Sequence, residues 1–325
     1  MLGASSLALA GAWRAMDFSH RAIRTAYDRR DYSNSLRLVQ ERLIGHPADA
    51  TALLWAARAS AGLGRWPEAE AYFAQVPVSD LEDLELRVRG LEIRKLWVEA
   101  ASVYERILHA DPLNGNALQR LAVIRIQQDR DSEARVFAQR LAQVSSHRAV
   151  GLVMTALLDY GANNPAKTVE ALEEAMRLSP NLEGVPTGRA QVLQLLAESL
   201  VQLGKAGDAE PYAQESRRLS FSPDPCYLLG QVRQMQGDES GAQQFWEEAI
   251  ARSPDFVPAL RELGQLYLKR REPQKALAWF LRAREVEPNN SAVQYSLDMT
   301  YRYIAQEKTD SPSDADQTNP RPQDH

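Results

Sequence analysis

The 325-residue chain is 44% apolar and 25% charged, the balance of a folded protein rather than a disordered one. Its net charge of −5 argues against a general nucleic-acid binder, which needs excess Lys and Arg to displace counterions. Cys226 is the only cysteine, so neither an intramolecular disulfide nor a multi-cysteine metal site is encoded, and no run of about 18 uncharged apolar residues is available to span a bilayer.

In chain order, residues 1–15 come first as an apolar N-terminal segment. Leu2 to Trp13 is uncharged and mostly small or apolar, and Ala8-Leu9-Ala10 has the small-x-small form of a cleavage site. Three readings stand: the remains of a signal or membrane anchor, an extra helix packed on the first repeat, or a frayed end. From residue 16 the sequence is helical in period, with apolar residues at i, i+3, i+4 and i+7. Pro47, Pro112, Pro180, Pro254 and Pro288 each follow an amphipathic stretch, and the last two are 34 apart. Units start near 16, 50, 81, 115, 149, 190, 223 and 257. The first keeps Tyr32, Leu43 and Pro47, with Ser35 where alanine is usual. The second keeps Ala56-Ala57, Gly64, Trp66 and Ala69-x3-Phe73, and is about three residues short. The third keeps Trp97, Ala100-x3-Tyr104 and Pro112. The fourth keeps Leu118-x2-Leu121-Ala122, and the fifth Ala156, Ala175 and Pro180. A longer link, 181–189, precedes the sixth unit and reads either as loop variation or as a hinge between a five-repeat and a three-repeat block.

The clearest unit is the eighth, with Leu260-x2-Leu263-Gly264-x2-Tyr267, Ala276-x3-Phe280, Ala283 and Pro288. The seventh matches it with Leu229-Gly230, Gly237-Asp238, Ala242-x3-Trp246, Ala249 and Pro254. This pattern resembles the tetratricopeptide repeat, with leucine in place of its usual tryptophan. The resemblance covers roughly 16–290. It implies an all-α fold, a right-handed α-solenoid of about eight helix pairs. Residues 291–306 are expected to add a C-terminal capping helix that covers the last apolar face and shows polar residues to water. The solenoid domain is thus expected over 16–306. The polar, proline-bearing tail 307–325 is expected to stay disordered.

Catalytic motifs are absent: there is no HExxH, GxSxG, Walker loop or GxGxxG. The chain therefore reads as a non-enzyme with no cofactor and no metal. His46, His109 and His147 fall near the ends of second helices, where an imidazole suits the helix dipole, and Cys226 reads as a small core residue. The resemblance implies that first helices line a concave groove for a protein or peptide partner. The ninth position of the first three units is Arg24, Arg58 and Arg89, a ladder flanked by His20 and Arg21. Such a ladder suits an acidic peptide or exposed carboxylate, or is a solvated face neutralised by Asp28, Glu82, Glu85 and Glu92. Farther on, Val123, Ile126, Val153, Leu157 and Tyr160 suggest an apolar stretch of groove, or core if the register is shifted by one. The leading function is a protein-interaction scaffold. The alternative is an accessory subunit of a membrane or envelope assembly tethered through the N-terminus. Cytoplasmic and envelope-anchored locations both fit; a nucleic-acid partner does not.

Overall fold

The structure, a computed structural model, describes residues 20–185 and 187–310, with side chains through Gln306. The apolar segment 1–15 and residues 311–325 of the expected tail lie outside the described residues; the last helix runs on to Asp310, so residues 307–310 of that expected tail are helical. The chain divides into two compact units, 1–154 and 155–325, described in turn.

In the first unit, α1 (20–28) pairs with α2 (Tyr32–Gly45), α3 (Ala50–Gly62) with α4 (Trp66–Phe73), α5 (Leu81–Ile93) with α6 (Trp97–Ala110), and α7 (Gly115–Gln127) with α8 (Asp131–Leu141). A 3-10 turn, Ser145–His147, leads into α9 (Arg148–Gly161), within which the division at Met154 falls. The second unit continues with α10 (Pro165–Leu178), then α11 (Gly188–Gln202) with α12 (Ala206–Leu219), α13 (Asp224–Met235) with α14 (Glu239–Arg252), α15 (Val257–Lys269) with α16 (Pro273–Val286), and α17 (Ser291–Asp310) last. The first helix of every pair starts within two residues of a unit boundary read from the sequence, apart from α1, whose beginning is outside the described residues. No strand occurs among the described residues. About eight helix pairs plus a terminal helix is the architecture observed.

Local chemistry explains why the helices begin and end where they do. Asp49 caps α3 by accepting from the Ala52 amide at 3.1 Å, Asn114 caps α7 through the Ala117 amide at 3.0 Å, and Asp238 caps α14 through the Gly241 amide at 2.8 Å. The turn inside each pair contains one residue in the left-handed region: Arg30, Gly64, Lys95, Asp129, Asn163, Gly204, Gly237 and Arg271. Their spacings of 34, 31, 34, 34, 41, 33 and 34 reproduce the repeat, including its short second unit and its long link. Only three of the eight are glycine, so five L-residues adopt a conformation that costs about 1–2 kcal/mol each. The αL landmark is the most regular feature of the chain, and composition hides it.

Close helix approach rests on small residues. A Cβ on Gly264 would meet the Phe280 ring at 2.6 Å, and one on Gly230 would collide with Trp246 Nε1. Phe280 and Trp246 are fully buried together with Ala242, Ala249, Ala276 and Ala283. The same glycine–aromatic contact thus recurs one repeat apart, as the sequence pattern requires. Cys226 lies in this core, and burial first, then Glu248, pushes its thiol up to about 12, so it stays protonated. The 181–189 link is not loose, because Leu182 and Val185 are buried and Arg189 pairs with Glu215 at 2.9 Å.

The terminal helix departs from expectation. Its inward side, Val293, Leu297 and Thr300, covers the last repeat as a cap should. Its outward side is not polar: Tyr295, Met299, Tyr301 and Tyr303 are exposed. The helical period that aims Val293 and Leu297 inward necessarily aims i+2 and i+6 outward, and here those positions carry large side chains.

Candidate partner-binding surface

First helices of adjacent pairs touch each other, α3 with α5 and α11 with α13, in addition to touching their own second helices. Second helices make no comparable contact with one another. In each unit one pair of neighbouring first helices is therefore closer than any pair of second helices among the described residues. A backbone gathered on one side presents that side's outward residues along a shared strip, which is where a partner could touch several repeats at once.

On the first unit this strip is built around an anchored arginine. Arg58 Nε donates to Asp83 Oδ1 at 2.5 Å and Nη2 to Oδ2 at 2.8 Å, a bidentate pair linking α3 to α5. Asp83 is only 1% exposed. The guanidinium stacks 4.8 Å from the Trp55 ring, Trp55 lies edge-on to Tyr27 at 5.2 Å, and Tyr27 contacts Tyr32 at 5.2 Å. Hydrogen bonding to Asp83 raises the Arg58 pKa, and burial, then Tyr32, raises that of the Tyr27 phenol. Beside this cluster, Asp49 accepts from Arg42 Nε at 2.9 Å and lies 3.1 Å from His20 Nε2. Burial works to raise the Asp49 carboxyl and is outweighed by the Ala52 amide, Arg42 and His20, which hold it below its ordinary value.

The ladder residues therefore have unlike surroundings. Arg24 is exposed, with Asp28 3.6 Å away on the same helix. Arg89 and Arg21 are exposed, His20 is engaged with Asp49, and Arg58 is committed to Asp83. Asp83 is the neutralising group that sequence reasoning missed: it stands between Glu82 and Leu84 and reads as one more solvated acid. A cation 25 residues earlier on the preceding first helix is the only sequence signal for the pair.

Val153, in the first unit, is 1% exposed and packs in the core rather than on the strip. Val123 and Ile126 are half-buried, as are Leu157 and Tyr160 in the second unit. In that unit the strip carries tyrosines and glutamates. Tyr160 donates to Glu198 Oε2 at 2.8 Å and Gln194 donates to Glu198 Oε1 at 2.9 Å. Gln231 donates to the Tyr227 hydroxyl at 3.0 Å, and Tyr227 lies edge-on to Phe256 at 5.7 Å. Burial, then Glu198, pushes the Tyr160 phenol up to about 12; burial, then Glu262, does the same to Tyr227. Burial raises the Glu262 carboxyl above its usual range, only partly opposed by Arg261, and the buried Arg261 Nε has no hydrogen-bond partner. Neither Glu198 nor Glu262 forms an ion pair among the described residues.

No group of three or more metal-ligating side chains converges among the described residues, and no described helix is long and apolar enough to cross a membrane.

Comparison with known proteins places this geometry in a family. Two tetratricopeptide repeat models match residues 20–80 and 234–297. A 74-residue stretch is 34% identical to the mouse protein O-mannosyl-transferase TMTC3, a match over 23% of this chain and 8% of that protein. The chain thus corresponds to a small part of that relative's length. Among solved structures, YrrB, a tetratricopeptide repeat protein with an unusual peptide-binding site, superposes with a TM-score of 0.51 at 15% identity, over 61% of this chain and 99% of that one. PilF of Pseudomonas aeruginosa gives 0.52 at 17% identity, over 70% and 97%. At such identities the likeness is one of fold. With its repeats, its left-handed turns and its glycine–aromatic contacts in phase, the chain is a tetratricopeptide repeat protein, a scaffold for protein–protein interaction.

Proposed function

We propose that the chain holds extended segments of partner protein on the first-helix strips of its two units, each taken by itself, by equilibrium binding with no bond made or broken. One observation carries this reading: half-exposed aromatic side chains on first helices are fixed in place before any partner arrives. Trp55 is held between Tyr27 and Arg58, Tyr160 by Glu198, and Tyr227 by Gln231. Pre-ordered aromatic side chains lose little freedom on binding and supply large contact area.

On the first unit the partner segment is acidic. Arg24 and Arg89 supply the exposed guanidinium groups, flanked by His20 and Arg21, while Arg58 keeps its neighbours in position. On the second unit Leu157 and Tyr160 offer apolar and aromatic contact. The test is selection from a displayed random-peptide library against the full chain. Acidic peptides are expected to be enriched, and the double variant Arg24→Glu/Arg89→Glu is expected to lose them at unchanged thermal stability. Selection of the same peptides with equal affinity by that variant would remove the acidic-partner reading.

A further inference from the structure

The terminal helix α17 carries a second surface, separate from the first-helix strip. Tyr295, Met299 and Tyr303 are spaced i, i+4, i+8 and are 68%, 38% and 40% exposed, so they form one stripe along the helix, turned away from the buried Val293 and Leu297. Asp298 and Arg302 lie along one flank of that stripe, both exposed. Neither joins an ion pair among the described residues. Exposed i, i+4 opposites elsewhere close for Arg24 with Asp28 and Arg37 with Glu41 but not for Glu85 with Arg89 or Glu173 with Arg177 among the described residues, so Asp298 and Arg302 belong to the charges this chain leaves open.

We propose that this face pairs with the same face of a second copy of the chain, antiparallel about a two-fold axis near Met299. The argument is self-complementarity. A two-fold axis perpendicular to the helix sets a flank against the same flank of the other copy, read in reverse. Asp298 of each copy then comes opposite Arg302 of the other, Tyr295 comes opposite Tyr303, and the two Met299 side chains meet at the centre. One acid and one base at i, i+4 on one side of an apolar stripe satisfy that reversal; two like charges would oppose it. Methionine, flexible and polarizable, suits a centre that must pack against itself and against aromatic rings. The surface is modest, three large side chains from each copy, short of the area of a permanent interface. The dimer is therefore a concentration-dependent one, in the micromolar range.

Sedimentation equilibrium on the full chain, from about 1 to 200 μM, reads the result directly against the 36.4 kDa monomer mass. A reversible monomer–dimer equilibrium is expected. Met299→Glu sets two carboxylates at the axis and is expected to raise the dissociation constant on the order of 100-fold. Asp298→Arg and Arg302→Asp are each expected to weaken pairing about tenfold, and the two together to restore it to within about threefold. These positions are exposed, so circular dichroism should report an unchanged fold. A chain that stays monomeric throughout would overturn the proposal, leaving the stripe to the chain's own tail or to a different protein. So would a dimer indifferent to Met299→Glu, or a double variant no tighter than either single one.

Discussion

The first-helix strips of the two units start from the same backbone and reach different electrostatics. At the ninth position of a repeat the first unit has arginine three times, and the second unit has Glu198, Gln231 and Gln265. In the first unit the cation is used twice: Arg58 ties two first helices together through a buried aspartate, and its outer face stacks on Trp55. In the second unit the corresponding tie is a neutral donor on a carboxylate, Tyr160 on Glu198, with Gln194 of the same helix donating to the other oxygen of Glu198. The lesson is that a repeated position fixes where a side chain stands, while its partner on the next helix decides whether it is structural or available.

The largest effect should come from cutting the arginine tie. Arg58→Ala leaves the buried Asp83 without its partner and should lower stability by about 3 kcal/mol, read as a shifted urea midpoint and faster amide exchange in α3 and α5. Glu198→Gln, in the second unit, breaks no ion pair and should cost less than about 1 kcal/mol. Equal losses would erase the distinction between the two strips.

A pH comparison sharpens it. Asp49 has a depressed pKa, so its contribution is complete above its unfolded value and is lost as pH falls through the folded one. Glu262 has a raised pKa, so its contribution is present below the unfolded value and is lost as pH rises through the folded one. Glu262→Gln should therefore stabilise the protein at pH 7, and the gain should fade as pH drops through the ordinary carboxyl range. Asp49→Asn should destabilise it at pH 7. Denaturation curves at pH 7 and across that range decide both signs.

The turns offer a comparison of similar size. Arg271→Gly should gain up to about 1 kcal/mol and Gly237→Ala should lose as much, since both sites have positive φ. The smallest stability effect belongs to Arg24→Gln, within about 0.5 kcal/mol, because the Arg24–Asp28 pair is exposed. A larger change in the thermal midpoint would place Arg24 among the structural residues with Arg58.

Most of the fold could be read in the amino acids. Gly264 with Phe280 and Gly230 with Trp246 set the phase, because close backbone approach leaves so few residue choices. Three things could not be read so easily. The left-handed turns at Arg30, Lys95 and Arg271 carry residues that give no turn signal, since the surrounding helix pair imposes the conformation. The Arg58–Asp83 pair joins residues 25 apart in sequence, and nothing local marks it. Val153 reads as a groove residue only while its helix is treated as a surface; packing takes it inside.

The link before the sixth repeat carries a practical consequence for dissecting this chain. Its length invites cutting there, yet Leu182 and Val185 are buried side chains, so a fragment beginning at Gly188 would leave behind two apolar plugs and open the sockets they fill. Insertion of a fluorophore or an affinity tag faces the same obstacle at this segment, whereas the tight corner at Gly64 and Arg65 is solvent-accessible at Arg65 and displaces no buried side chain.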